Sequence, residues 1–229
     1  MAFQRILAIT EVEIRNQIGP APPFALFGCH FSPEDGCFVG LADHLPAGCG
    51  LVIDDRNPIP AVDLILPVLE QLSPAYVILD FQRPPDAQSI KLTTALAQIH
   101  KNLVIPPPYA QGLACPLFLP PVPPHIPMAE HLKPWQGREI WLELALDGAL
   151  ITVTPQGSRT HLLPHAQIPE DSYEDSMLHC HYKISQKEDA LEFYCVRTRN
   201  DIEEMLRPPL PPNLKYAVAL YQELGVSIR

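Results

Sequence analysis

Three runs in this chain place polar side chains directly after apolar segments, where an α/β fold would present them to a ligand. Asp54, Asp55 and Arg56 end and follow Gly50–Asp54; Asp80, Gln82 and Arg83 end and follow Ala75–Asp80; Tyr109 follows Asn102–Ile105 across Pro106–Pro108. In parallel α/β folds, ligands meet the carboxyl ends of the strands. Acids after two successive strands could act as a general acid and base, or hold a divalent cation. The same residues would serve as helix caps or as a buried Asp–Arg pair. Glu143 is the one acid inside an apolar strand-like run; turned into a cavity, its carboxyl would titrate high and could donate a proton. His179 and His181 flank Cys180 and would share a strand face, but two ligands do not close a metal site, so no metal or other cofactor is expected. Trp135 and Trp141 are stacking platforms for a sugar, or core aromatics. No Gly-x-Ser-x-Gly, phosphate-cradling glycine loop or His-Glu-x-x-His stretch occurs, which removes serine-hydrolase, nucleotide and zincin chemistry.

The first half supplies alternating strands and helices to hold these residues. Phe24–Phe31 is an apolar run bounded by prolines, and Gly50–Asp54, Ala75–Asp80, Asn102–Ile105 and Pro116–Leu119 read as further strands. Asn57 and Pro58 offer a cap and a first-turn proline to a helix over Ile59–Leu72, and Asp86 caps another reaching His100. In the second half, Arg138–Leu146, Asp147-Gly148 and Ala149–Thr154 carry a hairpin signal, because Asp-Gly supplies positive φ values. A turn at Pro155-Gln156-Gly157 leads into Arg159–Leu163, so residues 138–163 read as an antiparallel β-meander. Strands at His179–Ser185 and Ala190–Val196 follow, then a helix capped by Asn200 or Asp201. Leu214–Leu224 fits a helix, although Lys215–Tyr221 also fits a strand. The pattern predicts an α/β fold: a degenerate, (β/α) barrel-like single domain over residues 1–229, with 138–163 as a meander insertion. An α/β half followed by a separate antiparallel module fits the same pattern.

Apolar residues make up 47% and charged residues 18% of the 229, which permits a sizeable core and opposes disorder. A net charge of −10 argues against nucleic acid and against an anionic membrane surface as partners. The run Ile6–Ile9 is too short for a secretory segment, and long apolar stretches are broken by charges or prolines; a cytoplasmic protein is the expectation. The six cysteines are scattered without a C-x-x-C pair and read as small buried hydrophobes. The 28 prolines gather at Pro20–Pro23, Pro106–Pro108, Pro120–Pro127 and Pro208–Pro212. They read as stiff loops, or as a polyproline ligand for a partner.

The run Ile78-Leu79-Asp80-Phe81-Gln82-Arg83-Pro84 resembles the fourth-strand signature of chitinase-like glycoside hydrolases of family 18, D-x-x-D-x-D-x-E followed by an aromatic and a proline. In that family the glutamate protonates the leaving oxygen, and the aspartate before it helps the substrate's own acetamido group act as nucleophile. The resemblance puts Asp80 at that aspartate and Gln82 at the glutamate, with Ala75 and Ile78 where the two earlier aspartates belong. Glu192-Phe193-Tyr194 before a capped helix is similar to a late strand–helix unit of the same family. An amide has no ionisable proton to give, so Gln82 cannot replace the acid, although it can hydrogen-bond a sugar hydroxyl.

Three functions follow as expectations. The first is a degenerate, non-catalytic relative that binds a glycan or small polar ligand through Asp54, Asp55, Asp80, Gln82, Arg83, Tyr109 and Glu143. The second is an active hydrolase whose acid is Glu143 or Asp55. The third is a structural or assembly protein acting through its proline-rich loops.

Overall fold

A strand that is apolar at every position must be covered on both faces, and the central runs here are. Leu51, Ile53, Val77, Ile78 and Leu79 are fully buried, and Val52 is 3% exposed. The computed structural model describes residues 3–15, 23–164, 166–207 and 209–224. The chain divides into two compact units. One holds residues 1–120, 137–143 and 213–229, and the other holds residues 121–136 and 144–212. Pro20, Pro22 and Pro208 of the proline clusters lie outside the described residues.

The first unit is a nearly closed parallel barrel. In chain order it contains β1 (Gln4–Ile9), α1 (Glu11–Arg15), β2 (Phe24–Phe31), β3 (Phe38–Val39), β4 (Gly50–Asp54), α2 (Val62–Leu72), β5 (Val77–Asp80), α3 (Ala87–Ile99), β6 (Leu103–Val104) and β7 (Leu117–Leu119). The second unit then begins with α4 (Met128–Leu132), and the chain returns to the barrel as β8 (Ile140–Leu144). Next come β9 (Asp147–Thr154), β10 (Gly157–Pro164), β11 (Tyr173–Asp175), β12 (Cys180–Lys187), β13 (Ala190–Val196) and α5 (Arg199–Met205), and last β14 (Leu214–Leu220) and α6 (Tyr221–Leu224). Around the barrel the strands run β6-β5-β4-β2-β1-β14-β8-β7, with β3 hanging on the end of β2. The ring is drawn together between β6 and β7, where Phe118 N donates to Ile105 O (2.8 Å) and Ile105 N donates to Pro116 O (3.1 Å).

Two layers of side chains fill this unit. The outer layer packs Ile65 and Leu69 of α2 and Leu92 and Leu96 of α3 against Leu51, Ile53, Val77 and Leu79. Alternate residues point the other way, and Ile6, Ala25, Val52, Ile78, Val104, Phe118, Trp141 and Val218 fill the interior. Gly50 heads β4 because a Cβ there would stand 1.9 Å from Tyr76 Cε2. The β6–β7 connection replaces a crossover helix with one 3₁₀ turn over Pro107–Tyr109. Here the proline run sets the backbone, as a stiff loop, and this crossover has no α-helix.

The second unit is built on an antiparallel sheet ordered β10-β9-β13-β12-β11. Its cation clip is Arg197, 5% exposed, which donates to Val122 O, to Leu178 O (2.9 Å) and to His179 O (3.1 Å). Asp201 is the N3 residue of a capping box on Thr198, so Thr198 and not Asn200 or Asp201 is the cap of α5.

Four further local expectations are corrected. Asp147-Gly148 is not a turn: both residues lie inside β9, and β8 pairs in the barrel instead. Gly148 is needed for close approach, since a Cβ there would stand 2.5 Å from Ala166 Cβ and 2.9 Å from Cys195 O. Leu214–Leu220 is a strand, because only an extended segment can pair its backbone between β1 and β8; the helix is confined to Tyr221–Leu224. The second helix starts at Val62, and Asn57, expected as its cap, donates Nδ2 to Phe31 O (2.7 Å). His179 sits in a left-handed turn (φ 48) before β12, so it does not share a strand face with His181.

Candidate ligand site

Three acids lie at or near the carboxyl ends of barrel strands: Asp54 on β4, Asp80 on β5 and Glu143 on β8. Asp54 and Asp80 are register partners on β4 and β5. Counting by two from Val52 and Ile78 of the interior puts both carboxylates on the inner face. The same count from Trp141 puts Glu143 there from β8. Sequence order makes β5 the fourth strand of the ring, after β1, β2 and β4.

Each acid sits in a different setting. Asp54 is clamped by Arg56, whose Nε lies 2.9 Å from both carboxylate oxygens and whose Nη2 lies 2.5 Å from Oδ2. Asp80 accepts from Gln82 Nε2 at 2.6 Å through Oδ1. Burial pushes the Asp80 carboxyl above the usual carboxylate range; the Gln82 bond pulls it down, and the charges of Asp54 and Asp55 push it up. Asp55 points the other way and is 3% exposed. Its Oδ1 accepts from Gln82 N and its Oδ2 from Arg83 N, both at 2.9 Å. That carboxylate therefore builds the turn after β5.

Tyr109 also builds rather than faces the mouth. It is buried, its ring meets Phe81 edge-on at 5.4 Å, and its hydroxyl donates to Arg83 O at 3.1 Å. Arg83 itself donates to Arg56 O, tying the two acidic turns together. Of the seven expected residues, Asp54, Asp80 and Glu143 carry inward-facing carboxylates, with Gln82 bonded to Asp80. Asp55, Arg83 and Tyr109 hold the turns beneath them. Thr10, directly after β1, lies outside the expected set, because the short run Ile6–Ile9 carries no polar strand-end pattern like those at Asp54 and Asp80. Its N–H and hydroxyl donate to Glu13 Oε2 at 2.6 and 3.0 Å. The apolar run Ile6–Ile9 is the sequence signal for this strand end.

His181 lies 3.6 Å from Asp201, away from the barrel residues in sequence and unit. Among the described residues, no group of three or more His, Cys, Asp or Glu could hold a metal ion. No described helix is long and apolar enough to cross a membrane.

No family model matches the chain, and no curated protein matches it significantly. Among solved structures, the Bacillus cereus spore cortex-lytic enzyme SleL is similar over 96% of this chain and 71% of its own, at 10% identity and a TM-score of 0.51. The C-terminal domain of a proposed chitinase from Desulfitobacterium hafniense DCB-2 is similar over 95% of this chain and 92% of its own, again at 10% identity and a TM-score of 0.51. The fold is thus similar to the chitinase-like barrel of these two structures, in keeping with the resemblance of the run around Asp80.

Proposed function

We propose that the barrel binds a glycan at the carboxyl mouth of its strands and does not cleave it. The observation that carries this is the Gln82 Nε2 to Asp80 Oδ1 bond of 2.6 Å. A chitinase-like mechanism needs an acid at the Gln82 position and an aspartate free to orient the substrate's acetamido group. Here the acid is an amide, and one oxygen of the aspartate is already engaged by it. What remains can recognise: Asp54, Asp80 and Glu143 accept from sugar hydroxyls, and the Gln82 carbonyl accepts as well. The names of the two neighbours, a spore cortex-lytic enzyme and a proposed chitinase, point to polymers of amino sugars as the ligand class.

Titration calorimetry with chitooligosaccharides, beside a reducing-end assay, tests the proposal. Binding without new reducing ends is the expected result. A flat calorimetric response across the panel would sink it.

A second reading, hydrolysis with Glu143 as the acid, is favoured by the place of that carboxylate on the inner face of β8. It requires product release that Glu143→Gln abolishes. Asp55 does not share this reading, because its oxygens are engaged by two backbone donors.

A further inference from the structure

The opposite end of the barrel holds a cavity of about 420 Å³. Its lining comes from residues that precede or begin strands: Tyr76 before β5, Lys101 and Asn102 before β6, Glu139 before β8, and Lys215 and Tyr216 at the start of β14. The amino-terminal face of a barrel ordinarily serves stability. This one is furnished differently.

Its wall is aromatic and fixed. Trp141 meets Tyr216 at 4.1 Å between ring centroids and Tyr76 at 5.2 Å. The polar handles of the two inner rings are engaged inside the protein: Trp141 Nε1 donates to Glu139 Oε1 (2.9 Å), and the Tyr76 hydroxyl donates to Phe24 O (2.9 Å). Tyr76 and Trp141 are buried and back the hollow, while half-buried Tyr216 brings carbon and π surface to it, which suits a flat ring or the apolar face of a sugar.

Its rim is cationic. Lys101 and Lys215 reach the same hollow from two separate segments, and neither has a hydrogen bond or ion pair among the described residues. Glu139 is the one acid of the lining, so the rim carries one net positive charge on a chain whose net charge is −10. Asn102 has its Nδ2 engaged by Ala75 O (3.0 Å), which leaves its amide oxygen for a ligand donor. An ammonium pair at the edge of an aromatic wall selects a compound with a ring and an anionic group.

From this we infer a second binding site at the amino-terminal end of the barrel, for a small ring compound with one flat apolar face and a single anionic substituent. A phosphorylated monosaccharide and an aromatic carboxylate share that chemistry. The site is independent of the glycan proposal, since no residue is common to the two.

The test is calorimetric titration of the intact chain with glucose 6-phosphate and with benzoate, using glucose and inorganic phosphate as controls. At least one anionic ring compound binds, and both controls bind at least about tenfold more weakly. Joint replacement Lys101→Ala and Lys215→Ala, at rim positions outside the core, weakens binding by about tenfold or more. Asp80→Ala leaves it unchanged. The inference is overturned if neither ring compound binds, if inorganic phosphate binds as tightly as the sugar phosphate, or if affinity survives loss of both lysines.

Discussion

Gln82 Nε2 and Asp80 Oδ1 lie 2.6 Å apart, with Gln82 N held at the same time by Asp55. The amide is therefore oriented at both its backbone and its side chain. Gln82→Glu returns a carboxyl to a position already facing Asp80, and two carboxyls so close share a proton. The expected outcome is weak hydrolysis of a fluorogenic chitobioside, strongest at acid pH and falling as the pair ionises. The rate stays low because Ala75 and Ile78 leave the two earlier aspartates absent. A variant that is inert at every pH but still binds glycan would show that an acid at 82 is insufficient.

Asp80 is held above the usual carboxylate range chiefly by burial. A carboxyl whose pKa is raised by folding binds more protons in the native state than in the unfolded chain. Its contribution is therefore unpenalised in acid, and stability is lost as pH rises through the native value. Asp80→Asn keeps an acceptor for Gln82 and cannot ionise, so it melts higher than the parent at pH 7. The gap closes below about pH 4. Melting curves at the two pH values check the sign; an advantage that grew in acid would contradict it.

Removing the Asp55 carboxylate strands two amide donors. Asp55→Ala leaves Gln82 N and Arg83 N without their acceptor, at a cost of about 2–4 kcal/mol. Asp55→Asn retains one acceptor and loses roughly half as much. Urea denaturation of the pair measures the difference. Equal losses would mean that only one of the two bonds matters.

Gly50 and Tyr76 form a steric lock. A methyl group at 50 would overlap the phenol ring, so Gly50→Ala costs about 1–3 kcal/mol through forced displacement. The double variant Gly50→Ala, Tyr76→Leu recovers part of that loss, because the clashing ring is gone. Non-additivity in the cycle is the measurement; simple addition would place the strain elsewhere.

In the second unit, Arg197 gathers carbonyls from Val122, Leu178 and His179. Arg197→Met keeps the volume and removes the donors, and the unsatisfied carbonyls cost about 2–4 kcal/mol. Hydrogen exchange near residues 122 and 178 accelerates selectively. Uniform acceleration over the chain would indicate global destabilisation instead.

Much of the frame is legible from residue patterns. Phe24–Phe31 and Gly50–Asp54 are bounded by prolines or glycine and buried as strands, and Asp86 caps α3 through a capping box with Ser89. The run at Asp80 also marks the strand end it occupies. What escaped was decided at long range. Leu214–Leu220 fits either period, and its choice was made by the open slot between β1 and β8. Gly148 has the chemistry of a turn but is used for contact with Ala166 and Cys195. The roles of Asp55 and Tyr109 depended on which face of a strand or turn they took, and a register of one reverses that. Tyr76 and Tyr216, far apart in sequence, gave no sign that Trp141 would join them.

The position of β14 between β1 and β8 has a consequence for biosynthesis. A chain leaving the ribosome makes β1 well before β14, the strand that covers its free side, and the whole five-stranded sheet emerges in between. For that interval β1 and β8 both expose unpaired backbone, an invitation to pair with other nascent chains. Slow folding, and a need for chaperone shielding of those two edges, is the expected price of a ring closed by the latest-made of its strands.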